Sequence, residues 1–150
     1  MDRKELIDYN VKATWHAIAR LYNQYAAKHN ITTSMAFVLL NIDSAEGTPA
    51  TKIAPLMGME SRSLTRILKS METKKLIIRK KDNIDGRMVI IYLTDLGKEK
   101  KEIAKKKVRT FNTVIKGKIP QRKLATFFEV IDTINTNIEN GEIKKHLNSD

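Results

Sequence analysis

The stretch from residue 61 to residue 97 most constrains the fold, because its apolar pattern changes from helical spacing to strand spacing within a short distance. Between Ser61 and Lys74, apolar side chains fall on one side of a helix and polar ones on the other. The apolar side comprises Leu64, Ile67, Leu68 and Met71, and the polar stripe comprises Arg62, Arg66, Lys69 and Thr73. Two runs rich in β-branched and aromatic residues follow, at 76–80 and 88–93, separated by a turn containing Asp, Asn and Gly. The pattern predicts an amphipathic helix followed by an antiparallel hairpin.

This stretch is also strongly basic. Residues 61–87 contain nine lysines or arginines and three acidic residues, in a chain of 150 residues with a formal net charge of +11. Lysine and arginine side chains displace condensed counterions from phosphates, so a surface with an excess of positive charge favours binding of a polyanion. The charge therefore favours nucleic acid as the partner, with an anionic membrane surface as the rival.

Three helices are predicted before this stretch. A long amphipathic helix from Leu6 to Lys28 contains no glycine or proline. A second helix, capped by Thr32 or Thr33, is expected to continue to about residue 43. Thr48 is predicted to cap a third, short helix over residues 50–57, which forms a helix-turn-helix with the amphipathic helix.

Two further helices are predicted after Gly97, separated by a break at Gly117 and Pro120. The last is expected to end near Asn140 and Gly141, and residues 142–150 are expected to fray. The predicted fold is thus mainly α, with about six helices and a small antiparallel β-wing, in a single domain over residues 1–150.

Four short motifs resemble those of the MarR family of winged helix-turn-helix transcriptional regulators. They are Leu64-Thr65-Arg66, Leu76-Ile77-x-Arg79, Asp85-x-Arg87 and Leu93-Thr94-x-x-Gly97. The resemblance covers nearly the whole chain and implies a winged helix-turn-helix lobe over residues 32–97. It also implies dimerisation helices over residues 5–29 and 98–140. Lys75 departs from the pattern, since the family usually has glycine there, at a helix end that favours positive φ.

The opposed faces of the helix and the charged wing predict a sequence-specific regulator that binds double-stranded DNA. The helix would enter a major groove, and Arg87 would enter the adjacent minor groove. The residues expected to contact DNA are Ser61, Arg62, Ser63, Thr65, Arg66, Lys69, Lys81 and Arg87. The family pattern implies that Asp85 orients a neighbouring arginine, and Arg79 is assigned to the same wing-orienting role.

The resemblance further implies a homodimeric repressor, which by its two-fold symmetry would bind a roughly palindromic operator. Two alternatives stay open from the sequence. A basic winged-helix module could bind a protein or RNA partner, because winged helices are reused for several functions. Alternatively, the chain could bind DNA architecturally, without a strong preference for sequence.

The apolar stripe of the first helix is longer than one small core needs, so part of it is expected to meet a second copy. The residues assigned to this dimer interface are Ile7, Val11, Phe127, Ile131 and Ile134. The resemblance implies a small-molecule effector, often anionic or aromatic, between the dimerisation helices and the DNA-binding lobe. Trp15, His16 and Tyr22 could line its pocket, although an aromatic stripe at helical spacing is ordinarily core or dimer contact.

No combination of residues suggests an enzyme, a metal site or a cofactor. The three histidines, at positions 16, 29 and 146, form neither an i, i+4 pair nor a cluster with carboxylates. The absence of cysteine excludes disulfides and a thiol-based oxidant sensor. No apolar run of signal or membrane length follows the first residues, so a cytoplasmic protein without membrane association is expected.

Overall fold

A computed structural model of the chain describes residues 2–149. After a single 3-10 turn at Arg3–Glu5, the elements follow in the order α1 (Ile7–Ala27), α2 (Thr33–Asn41), β1 (Thr48–Pro49), α3 (Ala50–Leu56), α4 (Ser61–Thr73), β2 (Ile77–Lys81), β3 (Val89–Leu93), α5 (Asp95–Lys118), α6 (Gln121–Glu139) and α7 (Glu142–Leu147). The predicted fold class, mainly α with a small antiparallel wing, is confirmed. The chain forms two compact units, which meet within α5 between residues 107 and 108.

The sheet of the first unit has three antiparallel strands in the order β1, β3, β2. The predicted hairpin is formed by β2 and β3, with Ile77 opposite Leu93 at its base and Lys81 opposite Val89 toward its tip. The strand β1 was not predicted. It is two residues long and pairs with the other edge of β3.

The prediction that Thr48 caps α3 is wrong, because Thr48 lies in β1 and Pro49 occupies the N-cap position. The Thr48 hydroxyl instead accepts a hydrogen bond from the backbone N–H of Asp43, at 2.9 Å. The strand pairing with β3 and this loop contact hold Thr48 in place. Helix α3 then ends at Leu56, directly after Pro55, as expected for a proline inside a short helix.

The core of the first unit lies beneath α4 and the hairpin. Its fully buried large side chains come from every layer around it: Val38, Leu39 and Ile42 near α2, Ile53 from α3, Met71 from α4, and Leu76, Ile77 and Ile91 from the hairpin and its base. Thr32 caps α2 by accepting the N–H of Met35 at 3.2 Å. The core fixes one face of α4 and leaves its other face free.

The second unit contains the rest of α5, with α6 and α7. Residues 142–147, expected to fray, form α7 instead, with Glu142 in its first turn and Lys145 in its last. This distribution complements the helix dipole, and the two side chains pair at 3.0 Å.

None of the helices between residues 2 and 149 combines the length and the apolar character that a membrane span requires.

Candidate nucleic-acid interface

Helix α4 has two chemically opposed faces. Leu64, Leu68 and Met71 are buried in the core. The predicted interface residues of this helix are all exposed: Ser61, Arg62, Ser63, Thr65, Arg66 and Lys69. The Thr65 hydroxyl donates to the carbonyl oxygen of Ser61 at 2.9 Å, so it lies close to the helix backbone. The structure therefore brings the predicted cations together on one uncovered helix face.

The C-terminal end of α4 is a Schellman turn centred on Lys75. The N–H of Lys75 donates to the carbonyl of Glu72 at 2.8 Å, and the N–H of Leu76 donates to that of Met71 at 2.9 Å. Lys75 has a φ of 57°, a left-handed conformation that favours glycine. The positive φ expected at this departure from the family pattern is confirmed. The turn directs the chain from α4 into β2.

Thr94 and Gly97 connect the start of α5 to this turn. The Thr94 hydroxyl lies 2.7 Å from the carbonyl oxygen of Lys75 and accepts the N–H of Gly97 at 3.0 Å. A Cβ atom at Gly97 would lie 2.0 Å from the carbonyl oxygen of Leu76, which is far inside van der Waals contact. The Leu-Thr-x-x-Gly motif thus has a physical basis, since only glycine permits this close approach of the backbones.

An ion pair links α4 to the wing. The Nε atom of Arg79, on β2, lies 2.8 Å from the Oε2 atom of Glu72, in the last turn of α4. Arg79 was assigned to orient the wing together with Asp85, and the structure pairs it with Glu72. Sequence reasoning did not single out Glu72. No local signal could have found it, because the contact depends on how the chain reverses at Lys75.

The tip of the wing is a turn held by two carboxylates. The Oδ1 atom of Asp82 accepts the N–H of Ile84 at 3.1 Å, and that of Asp85 accepts the N–H of Arg87 at 3.0 Å. Asp85 therefore contacts the backbone N–H of Arg87, and its orientation of an arginine side chain stays a prediction. Lys81 and Arg87 are exposed beside this turn.

Two of the three residues suggested for an effector pocket, Trp15 and Tyr22, pack against Phe37 of α2. The ring centroids of Trp15 and Tyr22 lie 5.7 Å and 6.1 Å from that of Phe37. Burial raises the pKa of the Tyr22 hydroxyl above its ordinary value. His16 is exposed and Trp15 is still 47% exposed. The aromatic side chains thus pack α1 onto α2, the role that the sequence favoured.

The residues assigned to a dimer interface lie in both units, and most of them are uncovered in the single chain. Ile7, Val11 and Phe127 are 59%, 50% and 55% exposed. Ile131 and Ile134 are half-buried. Phe127 also packs edge-on against Phe128, with ring centroids 5.4 Å apart.

Together, the short helix α3, the exposed helix α4 and the hairpin behind it define a winged helix-turn-helix protein. The family model for the transcriptional regulators SarA and Rot matches residues 20–104, more than half of the chain. The chain belongs to this SarA/Rot family of transcriptional regulators. Its predicted resemblance to the MarR-family regulators is confirmed for the fold, which solved structures of that family share.

Similar proteins include the HTH-type transcriptional regulator TtmR of Methylorubrum extorquens, 34% identical over 90 residues. That match covers 60% of this chain and 46% of TtmR, so the chain matches less than half of that relative's length. Among solved structures, the Staphylococcus aureus MepR–DNA complex has a TM-score of 0.81 at 18% identity, over 88% of this chain and 98% of MepR. PcaV of Streptomyces coelicolor, solved with its natural ligand, has a TM-score of 0.78 at 18% identity, over 91% and 96% of the two chains.

Proposed function

We propose that the protein is a sequence-specific regulator that binds double-stranded DNA as a homodimer. The observation that carries the proposal is the exposed polar face of α4, joined by short backbone and ion-pair contacts to a cationic wing. The six predicted contact residues of α4 are all exposed, and Glu72 pairs with Arg79 of the wing strand at 2.8 Å. A rigid arrangement of this kind reduces the entropy lost when two elements engage two grooves at once.

Helix α4 would lie in the major groove and the wing would reach the adjacent minor groove. Arginine can form bidentate hydrogen bonds with a guanine edge, so Arg62 and Arg66 are the candidates for base recognition. Lys69 and Lys81 would contact phosphates, which position the protein without reading sequence. The MepR complex supports DNA binding in general, because a protein of the same fold was solved with DNA bound.

Dimerisation would cover the apolar side chains that the single chain leaves exposed. Ile7 and Val11 on α1, and Phe127 on α6, are each at least half exposed, whereas large apolar residues usually gain from burial. A two-fold dimer would present two α4 helices, so the preferred site would be a palindrome with half-sites about one helical turn apart, or a multiple of it.

We further propose that the protein is a repressor and that a small-molecule effector releases it from DNA. The support is the fold shared with PcaV, which was solved with its natural ligand. Regulation of this kind requires that the effector bind one state of the dimer more tightly than the other. A compound that stabilises the protein without changing its affinity for DNA would argue against such coupling.

Three variants test the DNA assignment by duplex-binding assays over a range of salt concentrations. Arg87→Ala should weaken binding to most sequences and reduce the slope of log K against log salt by about one, because one phosphate or groove cation is lost. Arg66→Ala should cost about 1–3 kcal/mol and relax the preference at particular bases. Lys144→Ala, which removes the same charge from exposed α7, is the matched control and should bind as the parent does. If the first two variants also bind as the parent does, the interface is misassigned.

A further inference from the structure

Ile84 is the most exposed large apolar side chain in the part of the chain that the structure describes, at 97%. A single exposed apolar residue on a protein surface is ordinary. Ile84, however, lies at the tip of the wing, in a turn where polar residues and glycine are usual. Its position calls for an explanation in terms of what the wing contacts.

The backbone around Ile84 is held by side chains of the turn itself. Asp82 accepts the N–H of Ile84 at 3.1 Å, and Asp85 accepts the N–H of Arg87 at 3.0 Å. Backbone hydrogen bonds close the same turn, with Met88 N–H to the Asp85 carbonyl and Asp82 N–H to the Met88 carbonyl, both 2.9 Å. The two carboxylates are therefore engaged with the turn, and the isoleucine side chain is presented from a fixed backbone.

Cations lie on both sides of this apolar tip. Lys80 and Lys81 precede the turn and Arg87 follows it, and all three are exposed. An apolar tip between cations matches a surface with anionic walls and a less polar floor. The minor groove of DNA has this character, with phosphates at its edges and sugars and base edges inside, and proteins insert isoleucine side chains there. One side chain is too small an area for a stable protein interface.

We propose that Ile84 enters the minor groove and makes the wing prefer A·T pairs where it contacts DNA. The proposal rests on the DNA-binding function proposed above. A G·C pair places the guanine 2-amino group in the minor groove, whereas an A·T pair presents only acceptors there. An isoleucine side chain cannot accept a hydrogen bond from that amino group and would desolvate it. Ile84 would thus discriminate base pairs that α4 does not touch.

The test uses duplexes that share one selected core site and differ only in the flanking pairs under the wing. The flanks contain A·T, G·C or inosine·C pairs, since inosine lacks the 2-amino group but keeps the major-groove pattern of guanine. The parent protein should bind the A·T and inosine·C duplexes about tenfold more tightly than the G·C duplex. In Ile84→Ser this difference should fall to about twofold or less, with the salt slope unchanged because no charge is lost.

Ile84→Val keeps a branched apolar side chain and should retain most of the preference. Because Ile84 is almost fully exposed, the thermal midpoint of each variant should equal that of the parent. This measurement separates a loss of base-pair preference from a loss of folding. A preference that persists in Ile84→Ser and disappears in Arg87→Ala would assign the reading to the arginine and overturn the proposal. Equal binding of all three flanks by the parent would also overturn it, while leaving the DNA-binding function intact. A parent that binds no duplex would reject both.

Discussion

Replacing Lys75 by glycine should stabilise the protein. Lys75 is held at φ 57° by the Schellman turn of α4. For a residue with a side chain, this conformation costs roughly 1–2 kcal/mol. Glycine removes that cost but loses about 0.5–1 kcal/mol more conformational entropy on folding. The net gain expected for Lys75→Gly is therefore about 0.5–1 kcal/mol.

The assay is urea unfolding of parent and variant at one protein concentration, because the proposed dimer would make the apparent stability depend on concentration. In a thermal melt of the same two proteins, the same gain should raise the midpoint by about 1–4 °C for a chain of this length. Lys75→Ala is the control: it removes the charged side chain but keeps the strained conformation, so its stability should stay close to that of the parent. If alanine stabilised as much as glycine, the side chain and not the backbone would be responsible, and the reasoning would be refuted.

Three further predictions concern single contacts within the first unit. Gly97→Ala should lower the free energy of unfolding, measured by urea denaturation, by about 2 kcal/mol or more. The reason is that the added Cβ would lie 2.0 Å from the carbonyl oxygen of Leu76. A double-mutant cycle on Arg79 and Glu72 should give a coupling of only about 0.2–1 kcal/mol, since both side chains are partly exposed. Hydrogen bonds from two loop N–H groups hold the pKa of Asp43 below its ordinary value. The ionised carboxylate therefore stabilises the fold when the pH is above the pKa of an unperturbed aspartate. Asp43→Asn should be less stable than the parent at pH 7, and the difference in stability should shrink as the pH falls below about 4.

Local patterns sufficed to predict α4 and the hairpin. The spacing of Leu64, Leu68 and Met71 identified the buried face of α4, and these residues are buried in the structure. The positive φ at Lys75 was expected from the family resemblance, because the family usually has glycine at that position. Such features depend on neighbouring residues, which a sequence displays directly.

Contacts between distant parts of the chain could not be predicted in this way. The pairing of β1 with β3 joins residues 48–49 to residues 90–91, and a two-residue strand has no periodicity to reveal it. Likewise, the Nζ atom of Lys101 on α5 donates to the carbonyl of Ile42, at the end of α2. In the sequence Lys101 is one of many lysines on a charged helix, and nothing local distinguishes it.

Selection from a random duplex library, with the purified protein at near-physiological salt, would show whether α4 and the wing recognise duplex sequence. Light scattering on the same complexes would give their stoichiometry. We expect enrichment of a two-fold symmetric motif bound by two copies of the chain. Unselective binding that weakens steeply with salt would contradict it, because charge alone would then explain the affinity.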